Sequence, residues 1–146
     1  MSEYEELAPR LKEAILDWMK NRNPFWSLLG MELVDVKKGW AQVRLPFEKK
    51  LTNAVGLVHG GAIFTPADSA VGMALVGMIS RNENISTLEM KVNYLKPVKG
   101  SEIIAEAKIV HKGKQTAVGD VEVRDKNDAL IAKGLATYAI FKKRGR

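Results

Sequence analysis

Residues 60–80 carry a single charge, Asp68. A stretch of that length with so little polarity either spans a membrane or forms a helix enclosed by its own protein. The enclosed reading fits better. The segment is rich in Gly and Ala, contains Pro66, lacks flanking aromatic anchors and is the one segment of its kind in the chain. With 146 residues, 46% of them hydrophobic and 27% charged, the chain has enough material for one soluble core. A helix that is apolar all round needs a partner on nearly every side, so the rest of the chain must wrap it.

The rest can do so. Residues 3–21 read as an amphipathic helix, with Leu7, Leu11, Ala14, Ile15, Trp18 and Met19 on one face, stopped before Pro24. Residues 25–30 read as a short helical turn closed by Gly30. Strand patterns occupy residues 31–36 and 40–45, then 85–95, 102–111, 115–124 and 129–141. The short breaks between the later strands predict an antiparallel meander. The fold class is therefore α+β: a curved antiparallel sheet around a long central helix, with an extra N-terminal helix. Residues 1–23 form that helix, packed on a domain of residues 24–146. A sheet of this size leaves an edge or a helix face uncovered, which points to pairing in an oligomer.

The formal charge is +6 and there is no cysteine. Disulfides, thiolate metal sites and a cysteine nucleophile are excluded. The acidic N-terminus lacks the basic-then-apolar order of a signal peptide. A cytoplasmic protein is expected. The lysines are spread between strands, not gathered on one helix or interleaved with aromatics, so no nucleic-acid partner is expected. Two histidines, His59 and His111, on different elements make no metal motif. No nucleophile elbow, phosphate loop or dinucleotide fingerprint is present.

The chemistry concentrates in one run. Gly60 and Gly61 open the apolar helix, where unpaired N–H groups and the helix dipole can hold a developing oxyanion. They also permit close packing. Asp68 lies two turns further on, among Phe64, Thr65, Val71 and Gly72 at helical spacing. An acid there is either a hydrogen-bonded buried group or a base or nucleophile. His59 is a base, a ligand or a structural hydrogen-bonder.

The pattern Asn53-x-x-Gly56-x-x-His59-Gly60-Gly61, followed after six residues by Asp68, resembles the signature of hotdog-fold acyl-CoA thioesterases of the PaaI-like, phenylacetate-pathway subfamily. The run from Ser86-Thr87 through Tyr94 and Pro97 to Gly100 is similar to that family's third strand. The resemblance covers roughly residues 24–142. It implies hydrolysis of an acyl-CoA thioester to a carboxylic acid and coenzyme A, without a cofactor or metal, at a dimer interface. The assembly it implies is a homodimer at minimum and a homotetramer in full. The Gly60 N–H would meet the thioester oxygen. Asp68 of the facing subunit would activate water or attack the carbonyl. Thr87 would orient the water or the carboxylate, Asn53 would position the thioester or the water, and His59 would buttress the loop or bond near the thioester. Lys96, Lys99, Lys112 and Lys114 are the candidates for coenzyme A phosphates. Phe25, Trp26, Leu29, Met31 and residues 73–78 are candidates for an acyl pocket or plain core. Pro66 departs from the family's usual hydrophobe. It either bends a helix that starts at Gly60 or begins a helix near Thr65. The competing functions are a hotdog enoyl-thioester hydratase and a non-catalytic acyl-CoA-binding module.

Overall fold

The computed structural model describes residues 3–144. Helix α1 (Pro9–Asn21) starts six residues later than the hydrophobic periodicity suggests. Proline lacks an N–H and costs least in a helix's first turn, where that donor has no partner, so Pro9 favours the start observed. Residues 3–8 instead lie along the sheet. Leu7 is buried, Tyr4 stacks on Trp40 with ring centroids 6.2 Å apart, and Lys38 N donates to Glu5 O at 3.0 Å. Helix α1 packs on strand β1 (Glu32–Lys37), to which Lys12 is tied through Asp35 at 2.6 Å. Helix α2 (Pro24–Leu29) is capped by the Asn23 side chain, starts at a proline and ends on Gly30 at φ 80°.

Strand β1 turns through Gly39 into β2 (Trp40–Leu45). A loop with one 3₁₀ turn (Lys49–Leu51) leads to the central helix α3 (Gly60–Val76). Four strands follow: β3 (Glu83–Tyr94), β4 (Ile103–Lys112), β5 (Thr116–Asp125) and β6 (Leu130–Lys142). All pairings are antiparallel, in the order β1-β2-β4-β5-β6-β3. The meander expectation holds for β4-β5-β6 but fails for β3. That strand does not pair with β4; residues 95–102 carry the chain from one side of the sheet to the other. Alternation along a strand reports its faces, not its neighbours, and β3 fills the far edge beside β6.

Bulges interrupt the β1–β2, β3–β6, β4–β5 and β5–β6 registers and bend the sheet around α3. The close wrap depends on small residues. Ala67, Ala70 and Ala74 on the helix, and Ala41, Ala105 and Ala107 on the sheet, are almost fully buried. Gly119 of β5 sits so near the helix that an added Cβ would lie 2.4 Å from Val71 Cγ1. The helix ends at Val76, four residues short of the expected stop. At Gly77 the β1–β2 turn crosses its path, and a Cβ there would meet Lys37 O at 2.5 Å.

Pro66 lies within α3, which runs unbroken from Gly60, so the alternative start near Thr65 is wrong. Proline removes one intrahelical donor. One residue earlier, Thr65 Oγ1 donates to Gly61 O at 2.8 Å. No helix among the described residues is long and apolar enough to cross a membrane.

Candidate active site

Three hydrogen bonds define the start of α3. His59 is the N-cap, extended at φ −61° and ψ 139°, and its Nδ1 accepts from Gly61 N at 2.8 Å. Its carbonyl accepts from Ala62 N at 2.9 Å and Ile63 N at 3.2 Å. An accepting Nδ1 puts the proton of the neutral imidazole on Nε2. His59 thus buttresses the helix start, using a ring nitrogen where Ser or Asp oxygens usually serve. Among the described residues, Gly60 N–H has no acceptor, while Gly61, Ala62 and Ile63 all do. The helix therefore offers one free first-turn amide at its positive end.

The approach loop is fixed by Asn53. Its Oδ1 accepts from Val55 N at 3.0 Å and Leu57 N at 3.1 Å, around Gly56 at φ 82°. Only the Asn53 amide NH₂ is left for a substrate. Tyr94, at the end of β3, donates its hydroxyl to Gly60 O at 3.0 Å. Asn53, Gly60, Ile63, Tyr94 and Lys96 line a cleft of about 280 Å³. A second, apolar groove of about 400 Å³ opens on the other side of His59, walled by Phe25, Leu29, Leu51, Gly61 and Ala62. Of the acyl-pocket candidates, Phe25 and Leu29 reach this groove, whereas Trp26 and Met31 are buried in the core.

Asp68 is half-buried on the face of α3 turned to β3 and β6. Its Oδ1 accepts from Thr87 Oγ1 at 2.9 Å and from the Tyr138 hydroxyl at 2.6 Å. The acid is thus hydrogen-bonded by two hydroxyls, and among the described residues no cation pairs with it. Burial pushes the Tyr138 phenol far above its ordinary value. The Asp68 charge and hydrogen bond add to the rise, and Thr87 and the Gly72 amide only partly oppose it. Tyr138 was not singled out from the sequence. The usable signals were its place on the inward-facing phase of β6 and the notch left by Gly72 four residues after Asp68, where a Cβ would lie 3.1 Å from the phenol oxygen.

Gly60 and Asp68 are not together within one chain. Eight residues of helix put about 12 Å between their backbones at 1.5 Å per residue. The four lysines divide as well. Lys96 lines the Gly60 cleft and Lys99 is on the same connection. Lys112 and Lys114 belong to the β4–β5 hairpin at the opposite end of the sheet, because Tyr94 is in row with Ala132, Val123 and Ala105, seven residues from Lys112.

The sequence profile of the thioesterase superfamily matches residues 55–132. The medium/long-chain acyl-CoA thioesterase YigI of Escherichia coli is 31% identical over 132 residues, covering 80% of this chain and 85% of that protein. The 1,4-dihydroxy-2-naphthoyl-CoA hydrolase of Listeria monocytogenes is 31% identical over 116 residues, covering 80% and 94%. The structure of a mutant phenylacetic acid degradation protein PaaI from Thermus thermophilus superposes with a TM-score of 0.74 at 26% identity, over 80% of this chain and 98% of that one. With six antiparallel strands wrapped on one helix, the chain belongs to the thioesterase superfamily, as a PaaI-like hotdog enzyme that hydrolyses thioesters of the acyl-CoA type.

Proposed function

We propose that two copies of this chain pair along the exposed edge of β3 and hydrolyse acyl-CoA between Asp68 of one copy and Gly60 N–H of the other. The observation that carries this reading is the separation of the two groups on one rigid helix. Thr87 marks the Asp68 position along β3, and Tyr94 marks the Gly60 position. A two-fold axis through the β3 edge near residues 90–91 sets Thr87 opposite the partner's Tyr94, and so turns Asp68 toward the partner's Gly60. One protomer alone brings neither group within reach of the other.

In this arrangement the thioester oxygen docks on the partner's Gly60 N–H. Asp68 then takes a proton from water or attacks the carbonyl carbon. The C–S bond breaks, the acyl group gains the hydroxyl of water and coenzyme A leaves as its thiol. A thiolate is a good leaving group, so one carboxylate and one oxyanion donor suffice. The apolar groove beside His59 takes a medium-to-long or aromatic acyl portion. Lys96, which lines the cleft, and Lys99, three residues further along the same connection, are available for the coenzyme A phosphates. The two-fold turns the partner's β4–β5 hairpin to the same end, which keeps Lys112 and Lys114 as candidates. Two such dimers would form the tetramer.

Asp68→Asn is expected to abolish thiol release from acyl-CoA with the fold intact; turnover near wild type rejects the mechanism. A mixture of Asp68→Asn and Gly60→Pro chains tests the shared site. Each alone is inactive. Random re-pairing gives half heterodimers with one sound site in two, so about a quarter of wild-type activity returns. A mixture that regains nothing rejects the trans arrangement.

A further inference from the structure

We propose that Tyr138 is a positioning residue for the hydrolysis: together with Thr87 it holds Oδ1 of Asp68 and leaves Oδ2 as the reacting oxygen. The inference rests on Asp68 acting as the base or nucleophile.

The geometry is specific. The Tyr138 hydroxyl lies 2.6 Å from Asp68 Oδ1 and 2.7 Å from the Asp68 carbonyl oxygen. One proton serves one strong bond, and an ionised carboxylate is the better acceptor. Thr87 Oγ1 reaches the same Oδ1 at 2.9 Å. Two donors converge on one oxygen from two strands, β6 and β3, on which Tyr138 and Thr87 are direct cross-strand partners. Asp68 Oδ2 accepts from no group among the described residues. A carboxylate free to turn about its side-chain bonds would divide its time among orientations. One pinned through a single oxygen presents the other in a fixed direction.

The anchor itself is rigid. Tyr138 is 5% exposed, and its ring packs in the core between α3 and the sheet. Gly72 makes the room, since a Cβ there would stand 3.1 Å from the phenol oxygen and 3.4 Å from Cε2. A phenylalanine would fill the same space and leave Thr87 as the sole donor. The high proton affinity that burial gives the phenol keeps it a donor through the neutral and mildly alkaline range.

The test compares Tyr138→Phe, Asp68→Asn and the double variant by steady-state thiol release, with thermal melting as the fold control. Tyr138→Phe is expected to lower kcat about ten- to a hundred-fold with KM changed less than about two-fold. On the Asp68→Asn background it should lower no further whatever slow thiol release is still measurable at high enzyme concentration, because it acts through that carboxylate. Wild-type kcat in Tyr138→Phe, a rise in KM alone, or a further loss on the Asp68→Asn background overturns the inference and leaves the role of Asp68 standing. A fully active Asp68→Asn overturns that role, and this inference with it. If Tyr138→Phe does not fold, Gly72→Ala reads the same contact by pushing the phenol away while keeping its hydroxyl. A fall in kcat at constant KM supports the inference, and an unchanged kcat overturns it.

Discussion

A backbone amide cannot be deleted by an ordinary side-chain exchange, but proline deletes one, and the start of α3 accepts it. Gly60 is the first helical residue, where proline's fixed φ suits the helix and its missing N–H breaks no internal bond. Residue 59 before it is extended, at φ −61° and ψ 139°, which is the conformation a following proline requires. A Cβ has room in both variants, because its nearest heavy atom at Gly60 is Tyr94 Cζ at 3.5 Å, an ordinary contact. The Gly61, Ala62 and Ile63 amides are engaged with His59 and cannot substitute. The comparison is Gly60→Pro against Gly60→Ala, which adds a Cβ and keeps the N–H. Losing one oxyanion donor costs about 2.7–4 kcal/mol of transition-state stabilisation, a hundred- to a thousand-fold in kcat. We therefore expect Gly60→Pro to fall at least about a hundred-fold below Gly60→Ala in kcat for thiol release. Its melting temperature should match or slightly exceed that of the Ala variant, since proline lowers the entropy of the unfolded chain. Equal kcat in the two folded variants would refute the assignment of the Gly60 N–H.

Three further outcomes follow from contacts elsewhere. Gly119→Ala forces a Cβ to within 2.4 Å of the buried Val71 Cγ1, so it should lose about 1–3 kcal/mol in a denaturant titration, and an unchanged midpoint contradicts the packing. Leu88, 60% exposed on the β3 edge, becomes a seam residue if edges pair; Leu88→Asp should shift sedimentation toward monomer and lower thiol release with circular dichroism unchanged, and an active dimer speaks against pairing there. Because Tyr138 holds its proton more tightly folded than unfolded, its contribution is complete below about pH 10 and is lost as pH rises above it; stability should drop there, less steeply in Tyr138→Phe, and equal slopes refute the shift.

How far the chain could be read without coordinates depended on whether a feature was local. The apolar run of residues 60–80, with Asp68 its one charge, gave α3, and Gly60 marked its first turn, because propensity, polarity and glycine act within a few residues. Pro9 was a local signal too, but the apolar repeat starting at Leu7 masked it. The cap by His59 was illegible because imidazole rarely takes that role, and choosing it over base or ligand needs the ring's orientation. Asn53 was legible as a site residue but not its division of labour, with the oxygen bound to its own loop and the amide free. The position of β3 and the contact of Tyr138 with Asp68 were illegible for one reason. Both depend on which distant strands meet, and 70 residues separate the phenol from the acid.

Packing and chemistry are not separable in α3. Gly60 fixes one end of a helical ruler and Asp68 a point two turns along it. The sheet grips that ruler at Val71 through Gly119 and at Gly72 through Tyr138. The residues that let the sheet close on the helix therefore also set where the acid points. A substitution that shifts α3 by half an ångström along its axis moves Asp68 and Gly60 together, so their spacing within the chain is conserved. Across the two-fold seam proposed above, the same shift would act twice, with opposite sense, and the axial offset between Asp68 and the partner's Gly60 would change by twice the displacement. Core changes around Val71 should thus lower kcat more than their effect on stability suggests. Gly119→Ala offers the comparison: a kcat reduced in a variant still fully folded at the assay temperature supports the coupling, whereas a destabilised protein with unaltered kcat would separate the two.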